Sequence, residues 1–290
     1  MIAYDPKNWI RLILSFHRSD TFRRLLPAMC GMAVYCTLLV YVEIDVWHHT
    51  NVSTIAVHSI LGFVISLLLV FRTNTAYDRW WEGRRLWGTY VNHTRSISTK
   101  IAAYIGKEHK AERERLRTLI GNYIASSRDN LRDKAHPQSM ESNEWCNASE
   151  FSSADHVPNA ILTALVSEIE QLRKKGMLTD FQVLTLNDEL RSFAEVHGAA
   201  ERIKNTPIPY SYSIFIKKII FIYSITLPFA LLKDFGYWTI LCTVFVFYSF
   251  VSLEVIAEEI ENPFGADPND LPIDEITDKI KHNVNTIFRL

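Results

Sequence analysis

At 290 residues the chain has room for one large domain or two ordinary ones, and its hydrophobic fraction of 48% is compatible with a soluble protein, so composition alone decides nothing. Lys+Arg 31 against Asp+Glu 32 leaves a formal charge of -1, which removes the electrostatic footprint of a nucleic-acid binder. The mean hydropathy of +0.01 averages unlike parts, because apolar stretches near both ends flank a charged middle.

Residues 1–24 carry scattered charges and no small-residue cleavage pattern behind an apolar core, so no cleavable signal peptide is read. Trp9, Ile10, Leu12, Ile13, Leu14 and Phe16 suit an amphipathic segment on a membrane surface, or equally an ordinary soluble helix. Crossing a bilayer core takes roughly 20 apolar residues, because every backbone group must be satisfied within the helix. Residues 25–42, LLPAMCGMAVYCTLLVYV, qualify without a charge, and residues 51–71 qualify with only His58 and small polar residues inside.

In this second stretch Phe63, Leu67 and Phe71 fall at i, i+4 and i+8 and share one face, beside a small-residue face of Ser59, Gly62 and Ser66. Two readings stay open for the large residues. They meet lipid or core, or several copies surround an axis and form an apolar constriction that gates ions by dewetting. Arg11, Arg18, Arg23 and Arg24 precede this pair of spans, and Arg72, Arg79, Arg84 and Arg85 follow it, whereas the connection EIDVWHHTN has neither Lys nor Arg. The positive-inside tendency therefore places both ends of the pair in the cytoplasm.

Residues 78–205 are too polar to enter lipid and too periodic to be disordered. Ile161, Leu162, Leu165, Val166, Ile169 and Leu172 predict one helical face, ending at Lys174, Lys175 and Gly176. A second helix is predicted from Thr179, which has capping-box spacing to Gln182, with Phe181, Leu184, Leu190, Phe193 and Val196 as its apolar face. Residues 134–159, rich in Ser, Asn and His, read as a loop. Residues 214–232 form a third span whose Lys217 and Lys218 snorkel at one end, and residues 235–255 a fourth, with Tyr237 and Trp238 at an interface and Glu254 at its far end. The Lys233–Asp234 connection then falls outside and the C-terminus inside.

The fold class is an all-α integral membrane protein with four transmembrane helices and a large cytosolic helical region. Its segments are an amphipathic 1–24, a membrane pair over 25–77, cytosolic helices over 78–213, a second pair over 214–257 and a cytosolic 258–290. No phosphate-cradling loop, GxSxG or HExxH is present, so an enzyme is not expected. Cys30, Cys36, Cys146 and Cys242 form no CxxC pair, which gives neither a disulfide framework nor a cysteine zinc site, and His48–His49 lacks an evident third metal ligand. A transporter would need a midplane substrate site, of which Pro228 and His58 are the only hints. A membrane-anchored scaffold is the other rival.

Two motifs sharpen this reading. FRTNTAYDRWWEGRRLWG, residues 71–88, and ENPFGADPNDLP, residues 261–272, resemble the signatures that follow the second and the last membrane helix in the bestrophin family. The resemblance implies a homopentamer in the cell's inner membrane, both termini cytoplasmic, with monovalent ions as its cargo and one pore on the fivefold axis. It implies a neck lined by Phe63, Leu67 and Phe71, and a cytosolic aperture at Phe181, next to Asp180. It also implies that the second helix continues past the membrane, so that Arg79 and Glu82 pack or pair there.

No cofactor is required by the resemblance. In animal relatives the loop after the last span clasps Ca2+, at positions that correspond to Glu259, Asn262, Asp267 and Asp270. Here Pro268 and Asn269 interrupt the acidic run and Glu259 replaces an amide, so a structural loop in which Asn262 and Asp270 cap backbone is the competing expectation. Relatives of animal and plant type conduct anions, whereas some bacterial ones favour monovalent cations. Glu43, Asp45, Asp180 and the acidic tail beyond Glu254 lean the expectation towards cations, with a chloride channel as the alternative.

Overall fold

The computed structural model describes residues 20–47, 54–133 and 140–289. Residues 1–19 of the N-terminal amphipathic segment and the His48–His49 pair lie outside the described residues. Among those described, the backbone forms helices α1 (Asp20–Tyr41), α2 (Ile55–Tyr104), α3 (Lys110–Leu131), α4 (Val157–Lys174), α5 (Asp180–Asn205), α6 (Tyr210–Phe235), α7 (Trp238–Glu261) and α8 (Ile273–Arg289). No strand occurs among the described residues, beyond one isolated bridge between Asn143 and Cys146. Four helices, Thr21–Val46, Ile55–Tyr104, Tyr210–Phe235 and Trp238–Glu261, are long and apolar enough to cross a membrane. The 50 residues of α2 contain no proline, so nothing removes a backbone donor along its length.

The helices divide into two compact units. The first takes the chain up to Trp80, together with Pro207–Asn262 and Asp267–Asn269; the second takes Trp81–Thr206, Pro263–Ala266 and Asp270–Leu290. In the first, Ile65 and Leu69 of α2 pack on Ile216, Ile220, Tyr223 and Leu227 of α6, while Met32 and Cys36 of α1 pack on Phe247 of α7. Gly62 allows the close approach of α2 and α6, because a Cβ there would lie 2.8 Å from the Tyr223 hydroxyl. Lys217 reaches Glu258 at 2.9 Å, and Tyr237 and Trp238 are exposed at the other end of the pair. Gly236 turns the chain between α6 and α7 at φ +49, a conformation that favours glycine.

The second unit is built on α3, whose residues from Leu116 to Leu131 are almost all buried although many are polar. Their partners explain this. Asn122 donates to the Glu141 carbonyl at 2.8 Å and accepts from the Glu141 N–H at 2.7 Å. Arg113 donates to the carbonyls of Ala102, Ile105 and Phe288, at 2.9, 2.7 and 2.9 Å, and so satisfies the orphan ends of α2 and α8. Tyr123 stacks on Phe193 with ring centroids 5.0 Å apart and donates to the Phe193 carbonyl.

The face predicted around Leu165, Ile169 and Leu172 is buried in α4, which ends where Gly176 takes a φ of +74. Thr179 and Gln182 form the predicted capping box. One expectation about α5 is corrected, because Phe181 and Leu184 do not share the face of Leu190, Phe193 and Val196. The latter three are buried and the former two exposed. At about 100° per residue they point to opposite sides of the helix. The loop expected over 134–159 is largely irregular where described, with a 3-10 turn at Ala148–Phe151, and helix begins at Val157.

Phe193 is fully buried on the stack with Tyr123. Phe193→Ala is expected to lower unfolding free energy by roughly 3–5 kcal/mol. Denaturant unfolding followed by tryptophan fluorescence in detergent measures this; a loss below ~1 kcal/mol means the core refills the cavity.

Candidate functional site

Helix α2 has one stripe committed to its own chain. Ile65, Leu69, Arg72 and Ala76 recur every three to four residues and are buried. Phe63, Leu67 and Phe71 lie on the other side, 70%, 45% and 56% exposed. The sequence placed these three on one face, and among the described residues that face stays largely exposed.

Arg72 fixes which way the helix faces. Its guanidinium is 1% exposed, 3.5 Å from Glu254 and 2.7 Å from Glu261, both on α7. Glu261 also accepts the Ile208 N–H at 2.7 Å, and its carbonyl accepts from Arg79 at 3.0 Å. A buried guanidinium without a carboxylate is costly, so α2 and α7 are held in one register. Sequence reasoning treated Arg72 only as a flanking positive charge. The available signal was a set of carboxylates at the end of the last apolar helix, ready to receive it.

The two motifs meet each other. In the first unit the Trp80 indole donates to the Asn269 carbonyl at 3.0 Å. In the second unit a Cβ on Gly83 would lie 3.1 Å from both Pro263 and Phe264, so the missing side chain admits the C-terminal loop. Leu271 N–H donates to the Pro263 carbonyl at 2.9 Å and closes that loop. Glu82 pairs with Arg202 at 2.7 Å, whereas Arg79 uses the Glu261 carbonyl.

Of the calcium candidates, Glu259 is buried, accepts the Asn269 amide at 2.7 Å and lies 3.7 Å from Arg24. Asp270 is buried, and Asn262 and Asp267 are exposed. Its Oε2 takes the Asn269 amide and its Oε1 faces the Arg24 guanidinium, contacts of the kind a structural loop makes.

Phe181 opens the first turn of α5 and is 81% exposed. Farther along the same helix, Glu189 receives bonds from Ser96 at 2.6 Å, Lys100 at 2.8 Å and the His93 ring, all on α2. Burial pushes the Glu189 carboxyl up, but these donors outweigh it and hold its pKa below the ordinary value of 4.5. Three of the acids that suggested cations have a partner or are buried. Asp180 pairs with Arg173 at 3.1 Å, Asp45 accepts from the Tyr237 hydroxyl, and Glu43 is buried. Neither hint of a transporter marks a substrate site: His58 contacts Thr226 at 3.1 Å, and α6 continues unbroken through the buried Pro228.

Long apolar helices carrying an uncovered apolar stripe define a helical membrane protein. The bacterial and fungal bestrophin model matches residues 1–286, and the chain belongs to the bestrophin family. It is 34% identical over 286 residues to the voltage-dependent anion channel-forming protein YneE of Salmonella typhi, covering 97% of this chain and 92% of that one. It is 32% identical to a voltage-dependent anion channel-forming protein of Nostoc sp., over 98% of this chain and 93% of the relative. The crystal structure of a bacterial bestrophin homologue from Klebsiella pneumoniae superimposes with a TM-score of 0.83 at 28% identity, covering 91% of this chain and 98% of the other. These relatives are described as channels and not as enzymes.

Arg72→Met strands two carboxylates and is expected to cost roughly 3–5 kcal/mol of stability. Adding Glu254→Gln should restore part of it; equal melting of wild type and Arg72→Met in detergent would contradict the buried network. For Glu189, the unfolded state binds the proton more readily, so its contribution is complete above about pH 4.5 and is lost as pH falls through the lowered pKa. Glu189→Gln should flatten the acid limb of the stability–pH curve, and an unchanged limb would show that the network's charge carries no stability.

Proposed function

We propose that this protein is a homopentameric channel for monovalent anions in the cell's inner membrane, with both termini cytoplasmic. The observation that carries the reading is the α2 stripe of Phe63, Leu67 and Phe71, exposed opposite the face that packs on the rest of the chain. Five such stripes around an axis make a narrow apolar neck, and a ring of Phe181 side chains makes a second constriction. Apolar throats gate by dewetting, so they need no fixed charge. Asn74 and Asp78, exposed on the same side of α2, support an axial over a lipid-facing stripe, because a polar continuation suits a water-filled vestibule.

Anions replace the cations that the acidic residues first suggested. Asp180 stands beside Arg173 and Glu43 is buried, which leaves less free negative charge at these positions. Phenylalanine presents the positive edge of its quadrupole when the ring stands edge-on to an axis, and this favours anions at Phe63, Phe71 and Phe181. The names of the relatives agree with that sign.

Planar-bilayer recordings under a KCl gradient test the ion, with the reversal potential expected near that of chloride; a reversal near the potassium potential would overturn anion selectivity. Phe63→Ala, Leu67→Ala and Phe71→Ala combined should widen and wet the neck, raising unitary conductance several-fold. Particle mass must still report five copies. An unchanged current from an intact pentamer would remove the neck from these residues.

A further inference from the structure

Conduction makes no use of three side chains clustered in the second unit. His197 and Glu201 stand at i and i+4 on α5, so they share one face of that helix. His156 is the N-cap residue of α4, its Nδ1 accepting the Asn159 backbone N–H at 3.1 Å. That bond leaves Nε2 as the protonated nitrogen, and it donates to Glu201 Oε1 at 2.8 Å. His197 Nε2 lies 3.5 Å from the same oxygen. One ligand atom from each of the three residues lies within 4.8 Å of the others.

An ordinary cap with an ion pair explains His156 and Glu201. It does not explain His197, which is 2% exposed and whose two ring nitrogens have no hydrogen-bond partner. Buried polar groups are satisfied as a rule, and an unpartnered imidazole aimed at a histidine and a carboxylate is what a metal site looks like without its ion.

We propose that His156, His197 and Glu201 bind a divalent transition-metal ion, with Zn2+ the best chemical fit. Two imidazoles and a carboxylate are nitrogen and oxygen donors of intermediate softness, which suit Zn2+ and its neighbours and not Ca2+ or Mg2+. Around a tetrahedral ion with bonds of about 2.0–2.1 Å, ligand atoms stand about 3.3–3.4 Å apart. The observed 2.8 and 3.5 Å bracket that separation. Three protein ligands leave the fourth position to water, and the half-buried His156 and Glu201 provide the entry path.

Capture at His156 Nε2 moves that nitrogen's proton to Nδ1, a tautomer shift that leaves the ring neutral and frees Nε2 for the ion. The Asn159 amide then exchanges its acceptor for water. The ion would tie the N-terminus of α4 to the C-terminal half of α5.

The test uses the full chain, purified in detergent without a histidine tag and stripped by a chelator, so it does not depend on whether the protein conducts. Zn2+ titration by calorimetry should show about one saturable site per chain, with a rise in melting temperature that a chelator reverses. His156→Asn keeps a side chain able to cap α4 while removing a metal ligand, and it should weaken binding by more than roughly 100-fold, beyond the loss expected from an outer-shell partner. Glu201→Gln should weaken it as well. Absence of saturable Zn2+ uptake by the wild type, or uptake of equal strength in His156→Asn, overturns the proposal. So does binding that vanishes when His48 and His49 are replaced by Ala.

Discussion

A guanidinium buried among apolar helices has to be met by carboxylates, and the organisation of the first unit follows from how Arg72 meets that demand. Glu254 and Glu261 come from the last apolar helix, so satisfying Arg72 fixes the rotation of α2 about its own axis. Once that rotation is set, Ile65 and Leu69 face Tyr223 and Leu227, and Phe63, Leu67 and Phe71 stay exposed among the described residues. A rotation of about half a turn would bury the stripe and expose the charge.

The two sequence motifs are the surroundings of that interaction. The 71–88 stretch supplies Arg72, Arg79 and Trp80, which bind Glu261 and Asn269 from the 261–272 stretch. Gly83 contributes by what it lacks, since a side chain there would crowd Pro263 and Phe264. Residues almost two hundred positions apart therefore meet in each of the two units.

Much of this was legible beforehand. Apolar length announced the four long helices, the i, i+4, i+8 spacing announced the stripe, and Thr179 with Gln182 announced the start of α5. Helix α8 has an equally local signal, with Ile273, Thr277, Ile280, Val284 and Phe288 on one buried face. Helix α3 carried almost none. Its buried positions include Thr118, Asn122, Ser126, Ser127 and Arg128, and hydropathy patterns register polar residues as surface whether or not folding provides partners for them. The face of α5 was misread for a related reason, because apolar character alone does not separate Phe181, held outward, from Phe193, stacked on Tyr123.

The existence and polarity of the membrane-length helices can be read along the chain, because backbone hydrogen bonding within an apolar run is a local matter that neighbouring residues settle. Which charges are paired emerges only when the helices pack. Asp180 on Arg173, Asp45 under Tyr237, Glu259 beside Asn269 and Arg72 between two glutamates are the same letters as free charges, and pairing is a fact of distance that no spacing along the chain encodes. His156, His197 and Glu201 belong to the same class, since their convergence depends on α4 packing against α5.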